Sequence, residues 1–277
     1  MSAPYVLTLG IAQDGGHPQP GCARPCCADV SVRHLPACLA IVDPEADLRW
    51  LVDATPALPE QLQRLAVSAP GPLSGILLTH AHVGHYLGLA FLGRESMGVR
   101  GLPLGVQPRM ASFLAVNGPW NQLVALGNVR LWTSASFDLG PRIRVEAVSV
   151  PHRDEYSETV AFIIRGPSRS ALWLPDLDRW EDWDRRLEAV LAEVDVAWID
   201  GTFWADGELE RDMREVPHPR MVDTLGRLAA LPAAARAKVR FVHLNHTNPA
   251  LRANSPEAAA VRAAGSSVAY EGERVEL

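Results

Sequence analysis

Thr79-His80-Ala81-His82-Val83-Gly84-His85 places three imidazoles in six residues, directly behind an apolar run, Gly75-Ile76-Leu77-Leu78. Small and hydrophobic residues ending in such a cluster predict a buried strand that delivers ligands at its C-terminal end. In an extended segment side chains alternate with period two, so His80 and His82 point to the same side and can reach one ion. His85 follows after a turn that Gly84 assists. Neutral imidazole is the commonest protein metal ligand and takes zinc, iron, copper or nickel. Three of the chain's 9 histidines lie in this one stretch, which favours a metal site over a polar loop that merely contains His.

The same arrangement recurs downstream. Val145-Glu146-Ala147-Val148-Ser149-Val150 alternates with period two and runs into Pro151-His152. Ala171-Leu172-Trp173-Leu174 runs into Pro175-Asp176, and Arg240-Phe241-Val242 runs into His243, then Leu244-Asn245-His246. A lone His after a strand is usually an ordinary loop residue. Repetition of the placement at several strand ends predicts one edge of a sheet sandwich lined with ligands.

Composition narrows the classes. With 277 residues, 48% of them hydrophobic, the chain can bury a large core. Its 26 basic and 32 acidic residues give a net charge of −6, so no nucleic-acid partner is expected. Loop arginines (Arg153, Arg211, Arg214, Arg220) leave room for one anionic group on a substrate. No apolar stretch approaches the roughly 20 residues of a membrane span. Met1-Ser2-Ala3-Pro4-Tyr5 shows no basic or apolar leader region, so a cytoplasmic protein is expected. The expected partner is a small-molecule substrate, without nucleic acid or membrane, and a homodimer is compatible with the chain.

Three of the 4 cysteines crowd into Gly21-Cys22-Ala23-Arg24-Pro25-Cys26-Cys27. In a reducing compartment, clustered Cys more often bind metal or do redox work than form disulfides. Cys38, in an apolar run, reads as a small buried side chain.

Strand-like runs are 6–10, 38–42, 50–52, 75–79, 129–132, 143–150, 159–165, 171–174, 194–200, 239–244 and 267–270. Helical patterns cover 59–68, 183–193, 221–231 and 256–264, the last opened by a capping Ser255 and a Pro at the first helical position. Strands and helices interleave, yet several strands are consecutive, which predicts mixed sheets in a layered α/β sandwich. With no repeat and no linker-like composition, residues 1–277 are expected to form one domain.

On these motifs the chain resembles the metallo-β-lactamase-fold superfamily, whose signature is His-x-His-x-Asp-His followed by a distant His, an Asp and a final His. The resemblance covers essentially the whole chain and implies a four-layer αββα sandwich with mixed sheets. It further implies that His80, His82 and His152 hold one metal and that His85 and His243 hold a second, with Asp176 bridging. One position departs, since Gly84 stands where the family has Asp. Asp154, Glu155 or Asp200 are the candidates to replace that carboxylate.

Gly15-Gly16-His17-Pro18-Gln19-Pro20-Gly21-Cys22, Asp200-Gly201-Thr202-Phe203-Trp204 and the run from His243 to Tyr270 are similar to the subgroup of pyrroloquinoline quinone biosynthesis B proteins. That subgroup generally lacks the first two His of the signature, whereas His80 and His82 are present here. Its members, and the related PhnP phosphodiesterases, imply a small structural zinc site in the N-terminal loop. Cys22, Cys26, Cys27 and His246 would form it here, with Cys26 the least certain because neighbouring side chains in an extended chain diverge. Asp53 resembles a family Asp that orients the His loop. Asp14 and His17 sit in a Gly-rich loop that could border the site, and His218 could line or cap it.

The leading expectation is a metal-dependent hydrolase in which Zn²⁺, one or two ions, activates water against an ester, phosphodiester or lactone-type small molecule. Iron or manganese is compatible with the same ligands. Asp176 is the central carboxylate, and with Gly84 in place of Asp the proton for the leaving group must come from water, His218 or Asp200. The alternative is an iron oxygenase of the PqqB kind, hydroxylating an amino-acid-derived precursor, because His85, His243 and Asp176 form a two-His, one-carboxylate set. A non-enzymatic metal binder is a third class.

Overall fold

Both faces of the N-terminal strands are apolar, and this decides the architecture. The computed structural model describes residues 2–277; Met1, the first residue of the segment searched above for a leader, lies outside them. The first strands are β1 (Tyr5–Gly10), β2 (Cys38–Asp43), β3 (Leu48–Val52), β4 (Gly75–Leu77), β5 (Leu102–Val106) and β6 (Val129–Thr133). Then come β7 (Ser136–Asp138), β8 (Arg144–Ser149), β9 (Val160–Arg165), β10 (Ser170–Leu174), β11 (Val196–Asp200), β12 (Val239–Val242), β13 (Ser267–Val268) and β14 (Arg274–Glu276).

Along β1 to β4, Val6, Leu39, Ile41, Trp50, Val52 and Leu77 join one core that they share with the second sheet. Their neighbours Leu7, Leu9, Cys38, Ala40, Leu51 and Ile76 join another core, with Leu58 and Leu65 of the helix Leu58–Ser68 and Met110 and Leu114 of the helix Pro108–Val116. Successive residues of a strand face opposite ways, so the sheet is covered on both sides. The second sheet is covered in turn by Leu187, Val190 and Leu191 of the helix Leu187–Glu193 and by Met221 and Leu228 of the helix Met221–Leu228. The result is the expected αββα sandwich.

Each sheet has seven strands, in the orders β14-β1-β2-β3-β4-β5-β6 and β13-β12-β11-β10-β9-β8-β7. Both are mixed: β3 to β6 run parallel, as do β10 to β13, while the remaining pairs are antiparallel. Parallel runs bring the C-terminal ends of β3 and β4, and of β10, β11 and β12, to one edge of the sandwich. Gly75 lets this packing close, since a Cβ there would lie 2.2 Å from the Trp50 ring of the paired strand.

Several boundaries differ from the sequence reading. The strand expected at 75–79 ends at Leu77, because Thr79 turns its backbone N–H to the Asp53 carboxylate. The strand at 239–244 ends at Val242, because His243 takes φ +64°. The helix expected at 183–193 begins only at Leu187; Trp183 is extended and follows a short 3₁₀ turn, Trp180–Asp182. Strands β5, β7 and β14 and the helices Pro108–Val116 and Trp120–Ala125 were not anticipated. Among the described residues, no helix is long and apolar enough to cross a membrane.

Candidate metal centre

The chain just beyond β4 carries the histidine motif, and the end of β3 holds it in shape. Asp53, fully buried and at φ +71°, accepts from Thr79 N (2.8 Å), Thr79 Oγ1 (2.9 Å) and His85 Nδ1 (2.8 Å). Because the Thr79 hydroxyl donates to Asp53, its oxygen accepts from His80 Nδ1 at 3.0 Å. A left-handed backbone at a non-Gly residue is strained, and it recurs at His243. Both residues lie where the sandwich edge gathers its polar side chains.

His80 Nε2 and His152 Nε2 approach His82 Nδ1 to 2.9 and 3.1 Å. The opposite nitrogens of the three rings are engaged with Thr79 Oγ1, with Glu155 Oε2 (3.0 Å from His82 Nε2) and with Asp178 Oδ1 (2.8 Å from His152 Nδ1). All three partners are acceptors in these contacts, which places the ring protons on the outer nitrogens. In these tautomers three lone pairs face one another at hydrogen-bond distance, an arrangement that a shared cation fits. Burial, reinforced by the charge of His85, holds His80 well below the usual imidazole range, which favours its neutral form. Tetrahedral zinc–nitrogen bonds of about 2.0–2.1 Å put ligand nitrogens about 3.3–3.4 Å apart, close to the spacing found.

A second group lies beside it. His85 Nε2 and His243 Nε2 are 3.2 and 3.5 Å from Asp176 Oδ2, and Asp176 Oδ1 is 3.7 Å from His152 Nε2. Asp176 thus stands between the two groups. Burial would raise its carboxyl, but the facing His243 and His85 outweigh burial and hold it well below the carboxylate range. His85 Nε2, Asp176 Oδ2, His243 Nε2, His218 Nε2 and Asp14 Oδ1 are all buried and find no hydrogen-bond partner among the described residues. Buried polar atoms without partners are rare and costly, and five of them gathered at one edge fit cations well. The donor set, imidazole with carboxylate, suits zinc, manganese or iron.

His218 sits against this group. Its Nδ1 contacts Asp200 Oδ2 at 2.7 Å, leaving Nε2 free. Asp200 also accepts from Leu177 N (3.0 Å) and Thr202 N (2.9 Å), so its carboxylate is occupied in orienting His218 and the strand ends. Thr202 Oγ1 contacts both His218 Nδ1 (3.2 Å) and His243 Nδ1 (3.1 Å), tying the two rings together. Burial would lower His218, but Asp200 and then Asp176 outweigh it and raise it above the ordinary imidazole value.

The residues expected to replace the missing motif carboxylate lie elsewhere. Asp154 pairs with Arg109 at the surface, Glu155 is bound to the outer nitrogen of His82, and Asp200 is turned to His218. Besides Asp176, a second carboxylate beside His85 and His243 belongs to Asp14. Asp14 also lines a cavity of about 420 Å³ with Arg211, Asn245, Phe203 and Val216, open beside the site.

Cys22, Cys26, Cys27 and His246 converge as one group, each offering an atom within 4.8 Å of the others. Cys26 Sγ is 3.9 Å from both Cys22 Sγ and Cys27 Sγ, near the roughly 3.8 Å that tetrahedral zinc–sulfur bonds of about 2.3 Å impose. Adjacent Cys26 and Cys27 both reach the group because Pro25–Cys27 form a 3₁₀ turn, where neighbouring side chains do not diverge as in a strand. His17 does not join them: its ring is held by Val32 O and Cys26 O. Cys38 is fully buried against Asp53 O.

The family described as the beta-lactamase superfamily domain matches residues 48–247. Coenzyme PQQ synthesis protein B of Xanthomonas campestris pv. campestris is 28% identical over 311 aligned positions, covering 98% of this chain and 99% of that protein. The protein of the same name from Methylobacterium sp. (strain 4-46) is 29% identical, with 96% and 98% covered. Among solved structures, Zn²⁺-bound PqqB from Methylobacterium extorquens superposes with a TM-score of 0.83 at 25% identity, covering 99% of this chain and 100% of that one. A diphosphatase from the PhnP family superposes with a TM-score of 0.68 at 20% identity, covering 100% and 98%, a likeness of fold.

Proposed function

The chain belongs to the beta-lactamase superfamily, and from that premise we propose that it is a metal-dependent hydrolase of a small ester, phosphodiester or lactone. The observation that supports the reading is the convergence of nitrogen atoms of His80, His82 and His152 at ligand spacing, a geometry suited to a cation at its centre. His80, His82, His152 and Asp176 would hold one ion; His85, His243 and Asp176 would hold a second. Zinc or manganese bound there supplies Lewis-acid activation of water and polarisation of the scissile bond.

The remaining work falls to the protein's own groups. Thr79, Glu155 and Asp178 fix the ring tautomers, so the ligand nitrogens are oriented before any ion arrives. His218 Nε2, buried and unpartnered beside Asp176 and His243, is the group that protonates the leaving oxygen. Asp200 acts as a positioning residue, because it holds His218 Nδ1 and leaves Nε2 turned to the site. Arg211, on the wall of the neighbouring cavity, would meet an anionic group of the substrate. Cys22, Cys26, Cys27 and His246 would bind a structural zinc. We place the protein in the cytoplasm, where reduced cysteines stay available to zinc.

A second reading, an iron oxygenase acting on an amino-acid-derived precursor, rests on the two imidazoles and one carboxylate that His85, His243 and Asp176 bring together. The two separate in one assay. Protein loaded with Zn²⁺ or Mn²⁺ is offered bis(p-nitrophenyl) phosphate, p-nitrophenyl acetate and a homoserine lactone, with His152→Ala as control. Hydrolysis of one of them, lost in the variant, supports the hydrolase. No hydrolysis, together with Fe(II)-dependent O₂ uptake in a cell lysate fraction, supports the oxygenase.

A further inference from the structure

Gly84 is not glycine for its backbone. It lies in the helical turn Val83–Tyr86 and does not take a left-handed φ, so any residue could adopt its conformation, and glycine is a poor choice inside a helix. What excludes a side chain is space. An ideal Cβ at position 84 would lie 1.8 Å from Asp14 Oδ1 and 2.7 Å from both Asp14 Cα and Asp14 Cγ. Both backbone and carboxylate of Asp14 occupy the volume into which a residue at 84 would extend. A real Cβ does not approach other atoms so closely, so the two side chains are mutually exclusive.

We propose that Asp14 supplies the carboxylate ligand of the second metal, delivered from the N-terminal loop into the space that Gly84 leaves. The inference rests on the metal-centre reading above and adds a ligand to it. Asp14 Oδ1 lies 3.5 Å from His85 Nε2 and 3.9 Å from His243 Nε2, and the three atoms form a group of ligand spacing. The Asp14 side chain is 33% exposed, yet Oδ1 itself is buried and finds no hydrogen-bond partner among the described residues. A carboxylate free to turn an oxygen to water instead aims it at two imidazole nitrogens that are also unpartnered.

The loop that brings Asp14 here is anchored on the site. Gln13 N donates to Leu244 O (2.8 Å) and Leu244 N to Ile11 O (2.9 Å), so the residues just before Asp14 are laced to the residue after His243. Gly16 N closes the turn on Gln13 O at 2.7 Å. Farther along the same loop, Cys22, Cys26 and Cys27 meet His246. The second metal therefore draws one ligand from a segment whose position is fixed on both sides of Asp14 by contacts to the strand-end segment carrying His243 and His246.

A swap of ligands tests this. Zinc stoichiometry and affinity are measured by competition with a chromophoric chelator, and thermal stability by circular dichroism, for the wild type, Asp14→Asn, Gly84→Asp and the double variant Asp14→Gly with Gly84→Asp. Asp14→Asn is expected to lose one zinc from the histidine cluster, or to bind it at least tenfold more weakly, while the cysteine-site ion stays. Gly84→Asp alone is expected to melt at lower temperature than the double variant, because the double variant removes the Asp14 carboxylate and leaves only its Cα, 2.7 Å from the new Cβ, to give way. The double variant should regain the lost ion. Unchanged zinc binding in Asp14→Asn, or equal melting temperatures for the single and double variants at position 84, would overturn the assignment of Asp14 and leave the first metal site standing. A wild type with no ion at the histidine cluster would overturn the metal centre itself, and this proposal with it.

Discussion

His85 Nδ1 donates to Asp53 Oδ2 at 2.8 Å, while Asp53 Oδ1 accepts from Thr79 N at the same distance. One buried carboxylate at the end of β3 thus sets both the path of the histidine loop and the direction in which His85 Nε2 points. The strained backbone at Asp53 shows that this arrangement is held against a local cost. Asn tolerates a left-handed backbone, so Asp53→Asn removes the charge without adding strain. It should weaken metal binding at the histidine cluster by about 10- to 100-fold, as loss of a partner behind a metal-bound imidazole generally does. Chelator competition reads the change directly.

His218 carries a separate prediction. Its Nε2 faces the site while Asp200 holds Nδ1, so it is placed to give a proton and not to anchor the fold. His218→Gln should reduce kcat by roughly 10²- to 10⁴-fold with metal content unchanged. Asp200→Asn should lower kcat less, and KM little, since its part in the reaction runs through the orientation of His218.

The cysteine group should be structural. Cys27 is buried and receives a contact from Gln19 N at 3.4 Å, so the ion would staple the loop that carries Asp14 to the segment that carries His246. Cys27→Ser is predicted to remove one zinc, lower the melting temperature and weaken the histidine-cluster metals as a secondary effect. Elemental analysis with a melting curve checks all three.

Much of this centre is legible in the sequence because it depends on period and position. His80 and His82 share a side of an extended segment, and His152, Asp176 and His243 each follow an apolar run. The structure brings all of them, with His85, to one edge. Asp14 was not assigned as a ligand because its approach to His85 depends on the path of a loop, and loop geometry leaves no periodic trace. Strand β5 was hidden by Pro103 and Gly105, which interrupt its apolar run, yet it pairs on both sides as an interior strand. Strands β7 and β14 are three residues long and largely polar. The pattern at 183–193 resembles a helix throughout, but the Asp184-Arg185-Arg186 segment lies between the 3₁₀ turn and the helix proper.

Away from the site, Asp43 gives a pH-dependent prediction. It ends β2, is buried, and accepts from Glu45 N (3.1 Å), Ala46 N (3.2 Å) and the Arg142 guanidinium. The Arg142 hydrogen bond is the largest influence and, against burial, holds the Asp43 carboxyl below its ordinary value. A depressed folded-state pKa contributes stability above the unfolded value of about 3.9 and loses it as pH falls through the folded value. Asp43→Asn should therefore destabilise the protein at pH 7 by about 1–3 kcal/mol. The gap from wild type should close below about pH 4, as denaturant melts across that range would record.

A cation among His80, His82 and His152 is tested most directly by metal content from elemental analysis, wild type against His80→Ala, with the cysteine cluster intact in both. The wild type should carry more metal than the cysteine group alone can hold, and His80→Ala should lose one ion of that excess while staying folded. Equal metal content in the two proteins, limited to the cysteine-bound ion, would contradict a cation there.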